Sequence, residues 1–118
     1  MSLEQTQRAI DRYFDKMSRA VDFADCYTVD VTWLTADTGE LVHGPDSVRD
    51  YIIALHSTMV DAQTRKLVVG QESVYLEGDC AGTTSETSSR IRYCVAYDMK
   101  GDLIAAMRCY GPVVRSAL

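Results

Sequence analysis

Positive charge is what this sequence is short of. Lys and Arg number 12 against 17 Asp and Glu, a formal net charge of -5 over 118 residues. A basic surface for nucleic acid is therefore not expected, and the acidic residues are dispersed rather than gathered in a tail. Histidine is scarce too, with His43 and His56 alone, and the four cysteines (Cys26, Cys80, Cys94 and Cys109) form no CxxC pair. No metal-ligand spacing results, so no metal is expected. Neither a Ser-His-Asp set nor a phosphate loop occurs, and no cofactor is expected. The thiols read as reduced, apolar core residues, which suits a cytoplasmic location. No apolar run approaches the roughly 20 residues that cross a bilayer. The opening stretch MSLEQTQRAIDRYFDK is polar and amphipathic, unlike a secretory signal, so no membrane partner is expected. With no repeats or linkers, residues 1–118 read as one domain.

What is present is a patterned order of elements. Ser2 and Gln5 make a capping box, so a helix starts near Leu3 with an apolar stripe of Ile10, Tyr13, Phe14, Met17 and Val21. Asp22 reads as the cap of a short second helix, Phe23 to Tyr27. Val29 to Thr35 and Glu40 to His43 read as a hairpin around Ala36-Asp37-Thr38-Gly39. Gly44-Pro45-Asp46 opens a third helix whose stripe is Val48, Tyr51, Ile52, Leu55 and Met59. Asp61 to Thr64 reads as a loop, and Lys66 to Leu76 as a long strand bent at Gly70. Gly78-Asp79 reads as a turn, Cys80 to Thr87 as a strand, and Ser88-Ser89 as a turn.

Ile91 to Gly111 then forms a hairpin turning at Met99-Lys100-Gly101-Asp102. Strand side chains alternate between two faces. Leu103, Ala105, Met107 and Cys109 share one face of the last arm, and Ile104, Ala106, Arg108 and Tyr110 the other. The expected fold is α+β, with three N-terminal helices on a strongly curved, mostly antiparallel sheet. The curl is inferred because three short helices cannot cover a flat sheet this wide.

These stretches resemble the nuclear transport factor 2-like superfamily of cystatin-like α+β cones. Within it the chain is similar to SnoaL-like and ketosteroid isomerase-like proteins. The resemblance rests on DRYFDKM in the first helix, YTVDVTWLTADTGELVHGPDSVRDYI, EGDCA, and YDMKGDLIAAMRCYG. It implies a cone with one internal pocket between sheet and helices. Tyr13 falls on the family's first-helix tyrosine, Thr35 on its base position and Tyr93 on its second acid. Both acid positions are thus changed, which speaks against steroid isomerisation by that mechanism. Leu67-Val68-Val69-Gly70-Gln71 lacks the H-x-x-x-N of dehydratase-like members.

If Thr35 and Tyr93 face the pocket, alternation brings Trp33, Asp37, Val95 and Tyr97 with them, and Ile104, Ala106, Arg108 and Tyr110 from the last strand. Phe14, Ile52 and Leu55 would complete an aromatic-walled small-molecule site. Asp37 is the candidate base, or else a turn residue before Thr38-Gly39. Tyr13 and Tyr93 are candidate hydrogen-bond donors, or else packing aromatics. Arg108 is a candidate for orienting an anionic group, or a partner for Asp37 or Glu72. His43 reads as a surface residue, and His56, flanking the third-helix stripe, as a helix-surface or dimer contact rather than a catalytic group. The expected function is acid-base isomerisation, cyclisation or dehydration of a small, partly apolar carbonyl compound. The alternative is a non-catalytic ligand-binding or interaction module. Leu103, Ala105, Met107 and Cys109, with Cys94 and Ala96, would then face outward and form a homodimer interface.

Overall fold

The structure is a computed structural model describing residues 2–81 and 90–111. Helix α1 spans Leu3–Ser18, with the Ser2 hydroxyl accepting from the Gln5 backbone N–H at 3.0 Å as the capping pattern predicts. Its buried face is Thr6, Ala9, Ile10 and Tyr13. Helix α2 spans Pro45–Thr58, opens on Pro45 and buries Val48, Ile52 and Leu55. The expected second helix is only a 3-10 turn, Ala24–Cys26, so two α-helices are present rather than three. Phe23, not Asp22, is the N-cap of that turn; Asp22, one residue earlier, accepts from the Ala24 N–H at 3.0 Å, and Tyr27 already leads into strand β1. No helix among the described residues is long and apolar enough to cross a membrane.

Six strands form one mixed sheet: β1 Tyr27–Thr35, β2 Glu40–His43, β3 Val60–Val69, β4 Ser73–Ala81, β5 Ile91–Lys100 and β6 Leu103–Tyr110. Their spatial order is β2-β1-β6-β5-β4-β3. Four of the pairings are antiparallel, and β1 with β6 is parallel. The sheet is not strongly curled. It meets the coverage problem differently, by leaving edge strand β3 exposed along most of its length.

The middle of the chain departs from expectation. Lys66 to Leu76 is two strands, not one, because Gly70 closes a hairpin by donating its N–H to the Ser73 carbonyl at 2.7 Å. Residues 61–64 are strand rather than loop. Being exposed on both faces, they carry no alternation to betray them. Gly78 and Asp79 lie inside β4. Gly78 is there because a Cβ would meet the Gln63 carbonyl oxygen at 2.8 Å and the Tyr93 ring at 3.0 Å. Asp79 anchors Arg65 and Arg90, at 2.8 and 2.5 Å, tying the middle of β3 and the approach to β5 to β4. The strand expected over Cys80 to Thr87 exists as Cys80 and Ala81 at the end of β4; its remainder and the Ser88-Ser89 turn lie outside the described residues.

The final hairpin turns where expected, between Lys100 and Leu103. Near the turn Met99 pairs with Ile104, and both are buried. One residue later the register slips: Asp98 pairs with Ala106, leaving Ala105 as the extra residue of a β-bulge. A slip of one residue turns every later side chain over. Tyr97 pairs with Met107 and Val95 with Cys109, so Met107 and Cys109 face the helices and are buried. Ala106, Arg108 and Tyr110 face the other way, opposite Asp98, Ala96 and Cys94. The faces expected beyond Ile104 are therefore reversed. Met107 and Cys109 cannot form an outer interface, and Ala106, Arg108 and Tyr110 cannot line an inner pocket.

Met107 is 1% exposed within the core cluster. Met107→Ala should therefore lower the unfolding free energy by about 2–5 kcal/mol, the range for buried large-to-small changes. Urea denaturation measures this. A loss under about 0.5 kcal/mol, the scale of surface substitutions, would place the side chain outward.

Candidate functional site

A cavity of about 340 Å³ lies between the inner sheet face and the two helices. Helix α1 contributes Tyr13, Phe14 and Met17, and α2 contributes Ile52, Leu55 and His56, followed by Met59. The sheet supplies Trp33, Ala62, Thr64, Leu76, Tyr93, Val95, Tyr97 and Cys109. Its size is at the small end of ligand pockets, and an apolar wall with a few polar groups is their usual make-up.

Tyr13 is the hub of the inner wall. Its ring centroid lies 5.5 Å from that of Phe23, 5.6 Å from Tyr27, 5.8 Å from Phe14 and 6.3 Å from Tyr97. Its hydroxyl is engaged with the Tyr27 hydroxyl at 2.7 Å, with the Met107 sulfur at 3.8 Å. Burial, and then the neighbouring Tyr27, pushes the Tyr13 phenol well above its ordinary range, so it stays neutral. The hydroxyls of Tyr93 and Tyr97 bond to no other described residue. Among the described residues no buried side-chain oxygen or nitrogen lacks a hydrogen-bond partner, and both tyrosines line the cavity. Desolvation pushes Tyr93 up to about 12 and Tyr97 well above its usual value, so both are protonated donors. Desolvation also takes the Cys109 thiol up to about 12, which makes it an inert wall.

Trp33 lines the cavity, and its indole N–H donates to the Thr35 hydroxyl at 3.1 Å. Thr35 is buried and stands 3.3 Å from the Tyr51 hydroxyl, which donates to Glu40 at 3.0 Å. Thr35 thus supports the wall from behind and does not border the cavity.

Asp37 is exposed in the β1–β2 turn and does not line the cavity. Arg108 makes a two-pronged pair with Asp98 on the outer face, at 2.6 and 3.2 Å, and not with Asp37 or Glu72. The Asp98 hydrogen bonds raise the Arg108 pKa further, so it is a fixed cation. Ala106 and Tyr110 share that outer face. Of the expected site, the structure gathers Tyr13, Phe14, Trp33, Ile52, Leu55, Tyr93, Val95 and Tyr97 round one space. Asp37, Arg108, Ala106 and Tyr110 lie elsewhere. Among the described residues no carboxylate, lysine or arginine lines the cavity, and no cluster suits a metal ion.

Sequence reading missed Met17, His56, Met59, Ala62, Thr64, Leu76 and Cys109 as wall residues. His56 stands four residues after Ile52, one helical turn on, and that spacing was a usable signal. Ala62, Thr64 and Leu76 were hidden by the misread strands. His56 also borders a second, outer groove of about 490 Å³, with Met17, Ala20, Val21, Asp22, Phe23, Arg49 and Ile53. Met17 and His56 are common to both spaces. His56 is exposed, as expected, yet the part of the ring that the protein covers lowers its pKa below the ordinary value, favouring the neutral form.

The steroid delta-isomerase of Pseudomonas aeruginosa is similar in structure, with a TM-score of 0.79 at 9% identity over 96% of this chain and 85% of that one. A nuclear transport factor 2-like protein of Cytophaga hutchinsonii gives 0.71 at 18% identity over 93% and 99%. A de novo designed protein with a curved β-sheet gives 0.75 at 15% identity over 99% and 97%. Identities this low carry the fold alone, and a shared fold is not a shared activity. No curated protein matches the sequence. The model of the SnoaL-like domain matches residues 7–107, from the first helix into the last strand. The chain belongs to the SnoaL-like domain family.

Proposed function

We propose that the cavity binds a small, neutral, largely apolar carbonyl compound and that the domain isomerises, cyclises or dehydrates it by acid-base chemistry. The observation that carries this reading is the make-up of the wall: mostly apolar side chains, with Thr64, His56 and the protonated Tyr93 and Tyr97 phenols as its polar groups. A neutral phenol in a dry pocket suits a carbonyl oxygen that gains negative charge during reaction. Arg108 was the ground for expecting an anionic ligand. Its place on the outer face leaves no arginine or lysine among the described lining residues, which favours a neutral one. A ligand-binding module without turnover is the second reading, supported by Asp37 lying in an exposed turn.

Trp33, the sole tryptophan, lines the cavity and reports binding by its emission. The two-ring ketone 2-tetralone should change that emission, and so should the hydrocarbon tetralin. Tyr97→Phe should weaken 2-tetralone by about 2–10-fold, the worth of one hydrogen bond, and leave tetralin unchanged. Equal affinities for the ketone in wild type and variant would remove Tyr97 from the carbonyl site.

The homodimer is proposed on a different set of residues from those expected. Leu41, Leu34, Arg108, Ala96, Tyr75 and Val68 form one row across all six strands on the outer face. Leu41, Val68 and Tyr75 are each nearly half exposed. A second copy packed there would cover them, and the Arg108–Asp98 pair would stay satisfied within its own chain. Light scattering should then give a dimer at micromolar concentration, and Tyr75→Glu should give a folded monomer. A monomeric wild type would refute the interface.

A further inference from the structure

We propose that His56 is the general base of the cavity, taking a proton from the carbon next to the ligand's carbonyl group. This rests on the reading of the cavity as a ketone site. Two geometric facts support it. First, the imidazole stands in the wall of the inner cavity opposite a sheet face that supplies tyrosine donors. Second, the same ring borders the outer groove. A base that turns over needs one side toward its substrate and another toward solvent, so that the proton it takes can be exchanged or returned.

The charges around the ring suit this role. Arg49 is the cation that shares the outer groove, and it is held by Asp22, Asp46 and Asp50 at 3.1, 3.4 and 3.0 Å. From α1 the cavity receives Tyr13, from β5 Tyr93 and Tyr97, and from β6 Cys109, all neutral because burial raises their pKa. Among the described lining residues, His56 is the one group whose ordinary pKa lies near neutrality. Its lowered value keeps it unprotonated and able to accept.

The step balances without any other reactant. The α C–H bond breaks and its proton joins an imidazole nitrogen. The electron pair moves into the new C=C bond, and the carbonyl oxygen becomes an enolate oxygen facing a tyrosine hydroxyl. The imidazolium then returns a proton to the same carbon, or to a conjugated one, and the carbonyl reforms.

Proton NMR of 2-tetralone in deuterated buffer reads this step as loss of the α-proton signals, with Trp33 emission recording binding on the same samples. The wild type should accelerate exchange. His56→Gln should bind the ketone with unchanged affinity and exchange it at least about a hundredfold more slowly, within the range for a positioned base. The wild-type rate should fall on acidification with a midpoint below about 6.5, the ordinary imidazole value. Exchange within about twofold of wild type in the variant would overturn the role of His56, as would binding without exchange by the wild type. Either result leaves the ketone site standing. Failure of 2-tetralone to bind at all would overturn both. Should the variant lose binding, the wild-type pH profile decides, a flat profile between about pH 5 and 8 overturning the role.

Discussion

One extra residue in the last strand sets what the two sides of this sheet are. The bulge at Ala105 shifts the pairing of β6 with β5 by one position. Everything downstream of Ile104 turns over with it. Met107 and Cys109 enter the core, and Arg108 leaves it for Asp98. A guanidinium in the inner wall would need a partner or would draw water in. Its removal to the outer face leaves a cavity walled by neutral groups.

The remaining inner residues then work as a set. Tyr13 packs against four other aromatics and commits its hydroxyl to Tyr27, so it organises the wall. Trp33 is satisfied by Thr35, which is steadied in turn by Tyr51. Tyr93 and Tyr97 line the cavity and stay protonated, because burial raises their pKa. Gly78 gives the Tyr93 ring room to lie over β4, where any larger residue would collide with it. His56 closes the wall from α2 and also borders the outer groove.

Much of this was legible in the sequence because one face of each long element is buried. The stripe Ile10-Tyr13-Phe14 and the trio Val48-Ile52-Leu55 have helical spacing, and both helices formed with Ser2 and Pro45 at their starts. Alternation on β5 put Tyr93, Val95 and Tyr97 on one face, and all three line the cavity. The first half of strand β3 was not legible, since a stretch of edge strand exposed on both faces has no apolar period. The bulge was not legible either. Ala105 and Ala106 fit either face equally well, so nothing local marks where the register slips. Asp37 illustrates a third limit. Alternation carries from Thr35 to Asp37 only if the strand continues, but it ends at Thr35 and the turn carries Asp37 out to solvent.

A crystal structure with 2-tetralone bound tests most directly the claim that the register slip makes a neutral inner site. The ketone should lie among Trp33, Leu55 and Val95, with its oxygen within hydrogen-bonding distance of Tyr93 or Tyr97 and no contact with Arg108 or Asp37. A ketone seated against Arg108, or a last strand with Arg108 and Tyr110 turned toward the helices, would contradict the account.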